Sequence, residues 1–184
     1  VINLKDDSRE IRQMKMEMHY IKGRYDIAMG DYDSGIANIE KSIFLAQKLN
    51  AHKNLLACYK QQVFHGIQRE DLEKVDKYVT LGLGCIKKEE RDEYATFLRL
   101  KGWYHVQRQE YRMAEDVLQK ALMVFRELED GGGKYTASIA ACFNYIGDIY
   151  RIQDRYDEAL EYYMKGITVG QGPVETNGIG QVYC

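Results

Sequence analysis

Proline occurs once in these 184 residues, at Pro173. Its near-absence removes the usual helix interrupter and admits long unbroken helices. No apolar run approaches the length needed to cross a bilayer, and no secretory leader is visible. An excess of one charge is lacking too. The chain carries 26 basic and 28 acidic side chains, a formal net charge of −2, mixed along its length. General nucleic-acid or membrane-surface binding needs a basic stripe, so direct contact with either is not expected. Cysteine is sparse. Cys58, Cys85, Cys142 and Cys184 have no metal-ligand spacing, and three lie on apolar helical faces. That pattern suits buried free thiols in a reducing cytoplasm. His19, His52, His65 and His105 pair with no cysteine at catalytic or metal spacing. The glycines at 131–133, 178 and 180 are followed by no lysine–hydroxyl pair, so no phosphate loop is present. Glu89-Glu90 and Glu127-Glu129-Asp130 fall in charged helix ends and read as solvated. No metal, no cofactor and no catalytic constellation is expected, and the chain does not read as an enzyme.

What the sequence does contain is a repeat. A small residue recurs in alternate helical segments at Gly35, Val75, Ala114 and Ala159, with spacings 75 − 35 = 40, 114 − 75 = 39 and 159 − 114 = 45. A second set, Gly23, Val63, Gly102 and Gly147, keeps the same three intervals. Two landmarks that stay in step fix the architecture before any single residue is weighed. Apolar positions follow the helical period, as in Ile36, Ile39, Ile43 and Ala46.

The pattern predicts eight helices in four antiparallel pairs: Ser8–Met29 with Asp33–Leu49, His52–Ile67 with Asp71–Lys87, Arg91–Arg108 with Arg112–Glu129, and Tyr135–Gln153 with Asp157–Thr168. Asp33, Asp71 and Asp157 stand where an N-cap or first-turn acid is favoured. Gly82 and Gly84 are expected to weaken the end of their helix. The triplet Gly131-Gly132-Gly133 reads as a connector, with a hinge as the alternative. One repeat domain over 1–184 is expected, with repeats at 8–49, 52–87, 91–129 and 135–168. The segment 179–184 looks like the start of a fifth, so the chain reads as a piece of a larger protein.

The last repeat, Phe143, Gly147, Tyr150, Tyr156, Ala159, Tyr163 and Gly166, resembles the tetratricopeptide repeat family. The third matches at Leu98, Gly102, Tyr111, Ala114, Leu118 and Ala121, with His105 replacing an aromatic. The first matches at Gly23, Gly30-Asp31-Tyr32, Gly35, Ile39 and Ser42. In the second, Val63 and Val75 take the small positions and Gly66 the aromatic one. The intervals exceed the family's usual 34 residues, and this enlarged form resembles repeats in large bacterial transcription regulators, peptide-sensing regulators and motor light chains. The resemblance implies an all-α, right-handed superhelical array, an α-solenoid. Gly147 and Ala159 would be small where the backbones of a pair cross, with Tyr150, Tyr156 and Tyr163 filling wider gaps.

The resemblance further implies that the first helix of each pair lines a concave face. That face would carry Tyr20, Arg24, Lys60, Phe64, Arg99, Trp103, Asn144, Asp148 and Arg151. Aromatic residues and arginine dominate binding hot spots, so a protein or peptide partner is expected. Trp103, the only tryptophan, either packs between repeats or joins that surface. The lysine–asparagine clamp with which some members grip chaperone tails is not present as a set. The role implied is a cytoplasmic binding scaffold in a bacterial regulator. A peptide or small-effector sensor and a self-association module are the alternatives.

Overall fold

The computed structural model describes residues 8–130 and 134–171. Among these residues there are eight α-helices and no strand: α1 (Arg9–Ala28), α2 (Tyr32–Leu49), α3 (His52–Gln68), α4 (Leu72–Cys85), α5 (Arg91–Gln107), α6 (Tyr111–Asp130), α7 (Thr136–Ile152) and α8 (Tyr156–Gln171). Each helix packs on its neighbours in chain order, and α5 also touches α7. The glycine triplet, Cys184 and the expected start of a further helix at 179–184 lie outside the described residues.

The turn within each pair is one structure used four times. Gly30, Glu70, Gln109 and Asp154 hold φ of 88°, 56°, 59° and 59°. Their spacings, 70 − 30 = 40, 109 − 70 = 39 and 154 − 109 = 45, are those of the sequence landmarks. Each turn closes with the same backbone bond at 2.9 Å: Asp31 N–H to the Asp26 carbonyl, Asp71 to Gly66, Glu110 to His105, and Arg155 to Tyr150. A left-handed residue closing a helix C-terminus in this way satisfies carbonyls that the helix leaves unpaired. The helix that follows is capped by a side chain in two pairs. Asp31 accepts from Ser34 N–H at 3.1 Å and Asp71 from Lys74 N–H at 2.9 Å. Asp33 and Asp157 sit in first turns, where the helix dipole favours an acid.

The pairs are joined by shared apolar clusters. One runs through α3, α4 and α5, with Leu56, Tyr59, Val63, Val75, Val79, Phe97 and Leu100 at its centre. A second runs through α5, α6 and α7, around Leu98, Leu122, Phe125, Ile139 and Phe143. No pair buries its own face, so each depends on the next. Cys58 and Cys142 are fully buried free thiols in this interior, and Cys85 is half-buried. Burial pushes the Cys142 thiol up to about 12.

In the first pair the two backbones cross closely. A Cβ added at Gly23 would lie 2.8 Å from the Gly35 carbonyl oxygen, and one at Gly35 would lie 2.8 Å from that of Gly23. The fourth pair departs from the expectation. Gly147 makes room not for the backbone at Ala159 but for the ring of Tyr163, whose Cε1 would stand 2.7 Å from an added Cβ. Tyr156 fills no gap: it is 63 % exposed, and its hydroxyl donates to Asp154 at 2.7 Å. The weak second repeat also becomes intelligible. Val75 fits at the small position because Gly66 receives it, with Val75 Cγ2 2.9 Å from where a Cβ would be. Helix α4 runs through both its glycines and stops at Cys85. Gly82 is there for packing, since a side chain would overlap the Phe97 ring.

Four carboxylates hold helix ends and are held below the usual glutamate value of 4.5. Glu90 accepts from Lys87 N–H and contacts His52. Glu110 contacts His105. Glu129 accepts from Tyr135 N–H and the Thr136 hydroxyl. Glu158 accepts from Arg155. His65 is held below its ordinary 6.5, first by burial and then by the Lys74 charge. In every case the folded state binds protons less readily than the unfolded chain. The stabilisation is therefore present above the unfolded-state pKa and is lost as pH falls through the folded one. Melting temperature is expected to drop in two stages, a small one beginning near pH 6.5 and a larger one below about pH 4.5. A melting temperature that stays flat from pH 7 to 3 would contradict this.

Candidate protein-binding face

The first helices α1, α3, α5 and α7 carry the nine expected binding residues, and the structure brings them together in small groups. On α1, Tyr20 is half-buried and Arg24 is exposed, its guanidinium carbon 5.7 Å from the Tyr20 ring centre. On α3, Phe64 is 43 % exposed, one turn beyond Lys60. Lys60 is not a free cation. Its Nζ donates to both carboxylate oxygens of Glu93 on α5, at 2.7 and 2.8 Å. On α5, Arg99 and Trp103 are both half-buried and stand one turn apart on the same side. Trp103 packs against the cluster shared by α3, α4 and α5 while keeping part of its surface accessible. Arg99 has a buried Nε with no hydrogen-bond partner among the described residues.

The α7 residues are turned toward their own partner helix. Asp148 accepts from the Tyr163 hydroxyl at 2.7 Å, and Arg151 lies against both. Asn144 is exposed, and its Oδ1 would lie 2.8 Å from a Cβ added at Gly166 of α8.

Two features were missed by the sequence reading. Glu93 is one; its signal was an acid 33 residues from a lysine of the preceding repeat, a cross-repeat relation that no local spacing rule contains. The other is a stripe on α1. Ile11, Met14, Met18, Ile21 and Tyr25 follow steps of three and four residues, yet are 38 %, 70 %, 56 %, 66 % and 63 % exposed. Four of them line a groove of about 610 Å³ with Glu17 and Lys22. This apolar seam was legible as a heptad-like pattern.

Among the described residues no group of three or more His, Cys, Asp and Glu side chains stands where it would hold a metal ion. No described helix is long and apolar enough to cross a membrane.

Eight helices, stacked in chain order with one recurring turn, define a helical-repeat array of the α-solenoid kind. A family model described as tetratricopeptide repeat matches residues 139–171, which makes that stretch tetratricopeptide-repeat-like. The chain is similar to the crystal structure of BtubC (BKLC) from P. vanneervenii, with a TM-score of 0.78. That match is 11 % identical and covers 94 % of this chain and 70 % of the other, a likeness of fold. No curated protein matches the chain by sequence. Repeats of this kind generally mediate protein–protein interaction and are typically non-catalytic.

Proposed function

We propose that the chain is one domain of four repeats that acts as a non-catalytic scaffold. It binds a protein or peptide along its first helices, within a larger bacterial cytoplasmic regulator. The observation that carries this reading is the juxtaposition on α1, α3 and α5 of accessible aromatic and guanidinium groups: Arg24 stacked on Tyr20, Phe64, and Arg99 beside Trp103. These are the side-chain types that supply most binding energy at interfaces. The regulatory context rests on the enlarged repeat, which resembles that of bacterial transcription and peptide-sensing regulators.

Self-association is a second reading, favoured by the exposed apolar stripe of α1, since patches of this kind mark interaction surfaces. One set of preparations tests both. Wild type, Arg24→Glu with Phe64→Glu, and Met18→Glu with Ile21→Glu are compared by affinity capture and by sedimentation over a range of concentrations. All should keep the helical circular-dichroism signal. Loss of specific capture only in the Arg24/Phe64 variant supports the scaffold reading. Capture unaffected there, with concentration-dependent sedimentation abolished in the Met18/Ile21 variant, moves the function to self-association.

A further inference from the structure

The Lys60–Glu93 ion pair ties one first helix to the next, and the repeat register says where its counterparts are. The landmarks advance by 63 − 23 = 40, 102 − 63 = 39 and 147 − 102 = 45. Counting back from Lys60 by 40 and from Glu93 by 39 reaches Tyr20 and Asn54; counting forward by 39 and 45 reaches Arg99 and Ser138. The same inter-repeat position therefore holds Tyr–Asn, then Lys–Glu, then Arg–Ser. The first is uncharged and the second is neutralised at 2.7 Å. The third keeps the cation and has lost the acid.

Arg99 behaves accordingly. Its Nε is buried without a hydrogen-bond partner, and no described side chain forms an ion pair with its guanidinium. Its charge lies beside Cys142 of α7, where it partly opposes the upward push of burial on that thiol. A half-buried guanidinium without an anion is costly, and a planar donor fork is built for a carboxylate. We propose that Arg99 receives a side-chain carboxylate, an Asp or Glu of the bound partner, in the place that Glu93 fills for Lys60. This rests on the first-helix face being the binding face and names the chemistry it recognises. Trp103, one turn along α5, supplies an apolar wall beside that anion.

Trp103 is also the reporter, because it is the only tryptophan. The full chain is titrated with capped tetraglutamate, and with capped tetraglutamine as the uncharged control. Trp103 emission is expected to respond saturably to tetraglutamate alone. Arg99→Gln should weaken that response about ten-fold or more, because a charge-assisted bond is lost. Arg112→Gln, which changes an exposed cation on the second helix α6, should leave it unchanged. Ser138→Glu supplies the missing acid internally and should abolish the response while raising the melting temperature. The proposal is overturned if wild type does not respond to tetraglutamate, or if Arg99→Gln responds as wild type does. Should Ser138→Glu fail to fold, the Arg99→Gln comparison still decides. If capture of a partner depends on Arg24 and Phe64 while tetraglutamate elicits nothing, the binding face stands and only the carboxylate falls. A tetraglutamate response at Arg99 without any capture defect in the Arg24/Phe64 variant has the opposite meaning.

Discussion

Phe97→Ala is expected to destabilise the protein by about 3–5 kcal/mol, the range for removing a buried aromatic ring from a packed core. Phe97 is fully buried, and its ring lies over Gly82 in the cluster that joins the second pair to the third. At the sensitivity of a chain this size, roughly 2–4 °C per kcal/mol, the melting temperature falls by more than about 6 °C. The loss is local in a linear array, where stability is a sum of repeat and interface terms. Calorimetry of the variant should therefore resolve two transitions, because the residues before and after the α4–α5 joint no longer melt together. A single transition shifted by less than about 1 °C would show that Phe97 does not hold that joint.

Gly35→Leu is the second large effect. The substituted Cβ would meet the Gly23 carbonyl oxygen at 2.8 Å, the Ile27 backbone nitrogen at 3.0 Å and Ile27 Cγ1 at 2.6 Å. Two of the three obstacles are backbone atoms, which cannot rotate aside as a flexible side chain can. The cost is expected near the top of the overpacking range, about 3 kcal/mol, with α1 displaced from α2. Gly84→Ala is the matching control. Gly84 lies within α4, and an added Cβ meets nothing within 4 Å. That change removes backbone freedom from the unfolded chain and should stabilise by about 0.5–1 kcal/mol. Chemical denaturation of the two variants checks both signs. If Gly35→Leu is neutral, the pair does not cross where the structure places it.

The helices were legible because their determinants are local or periodic. The two landmark series placed all eight, with ends moved by no more than about three residues, as expected for frayed termini. The recurring turn was visible as a polar break, but not its left-handed residue, because Glu70, Gln109 and Asp154 stand where glycine is the usual signal. What Gly147 makes room for was not legible. A small residue says only that something comes close, and whether that is the backbone at Ala159 or the ring of Tyr163 depends on the helix crossing. The same limit applied to the α7 group. Asp148 and Arg151 are expected on an open surface, and Arg151 is exposed, but the sequence does not announce that Tyr163, fifteen positions after Asp148, reaches across from α8 and engages both. Gln62 is fully buried with neither amide atom bonded, and nothing in the described structure explains it.

The fourfold turn limits how such an array can change shape. Gly30, Glu70, Gln109 and Asp154 share a left-handed φ and one closing bond, so every hairpin of helices is fastened by the same backbone device. The links between hairpins are not alike. One passes through Asn50 in a left-handed cap, and the next leaves α4 through an extended Ile86. Bending or twisting when a ligand docks is therefore expected at those links before it is expected within a hairpin.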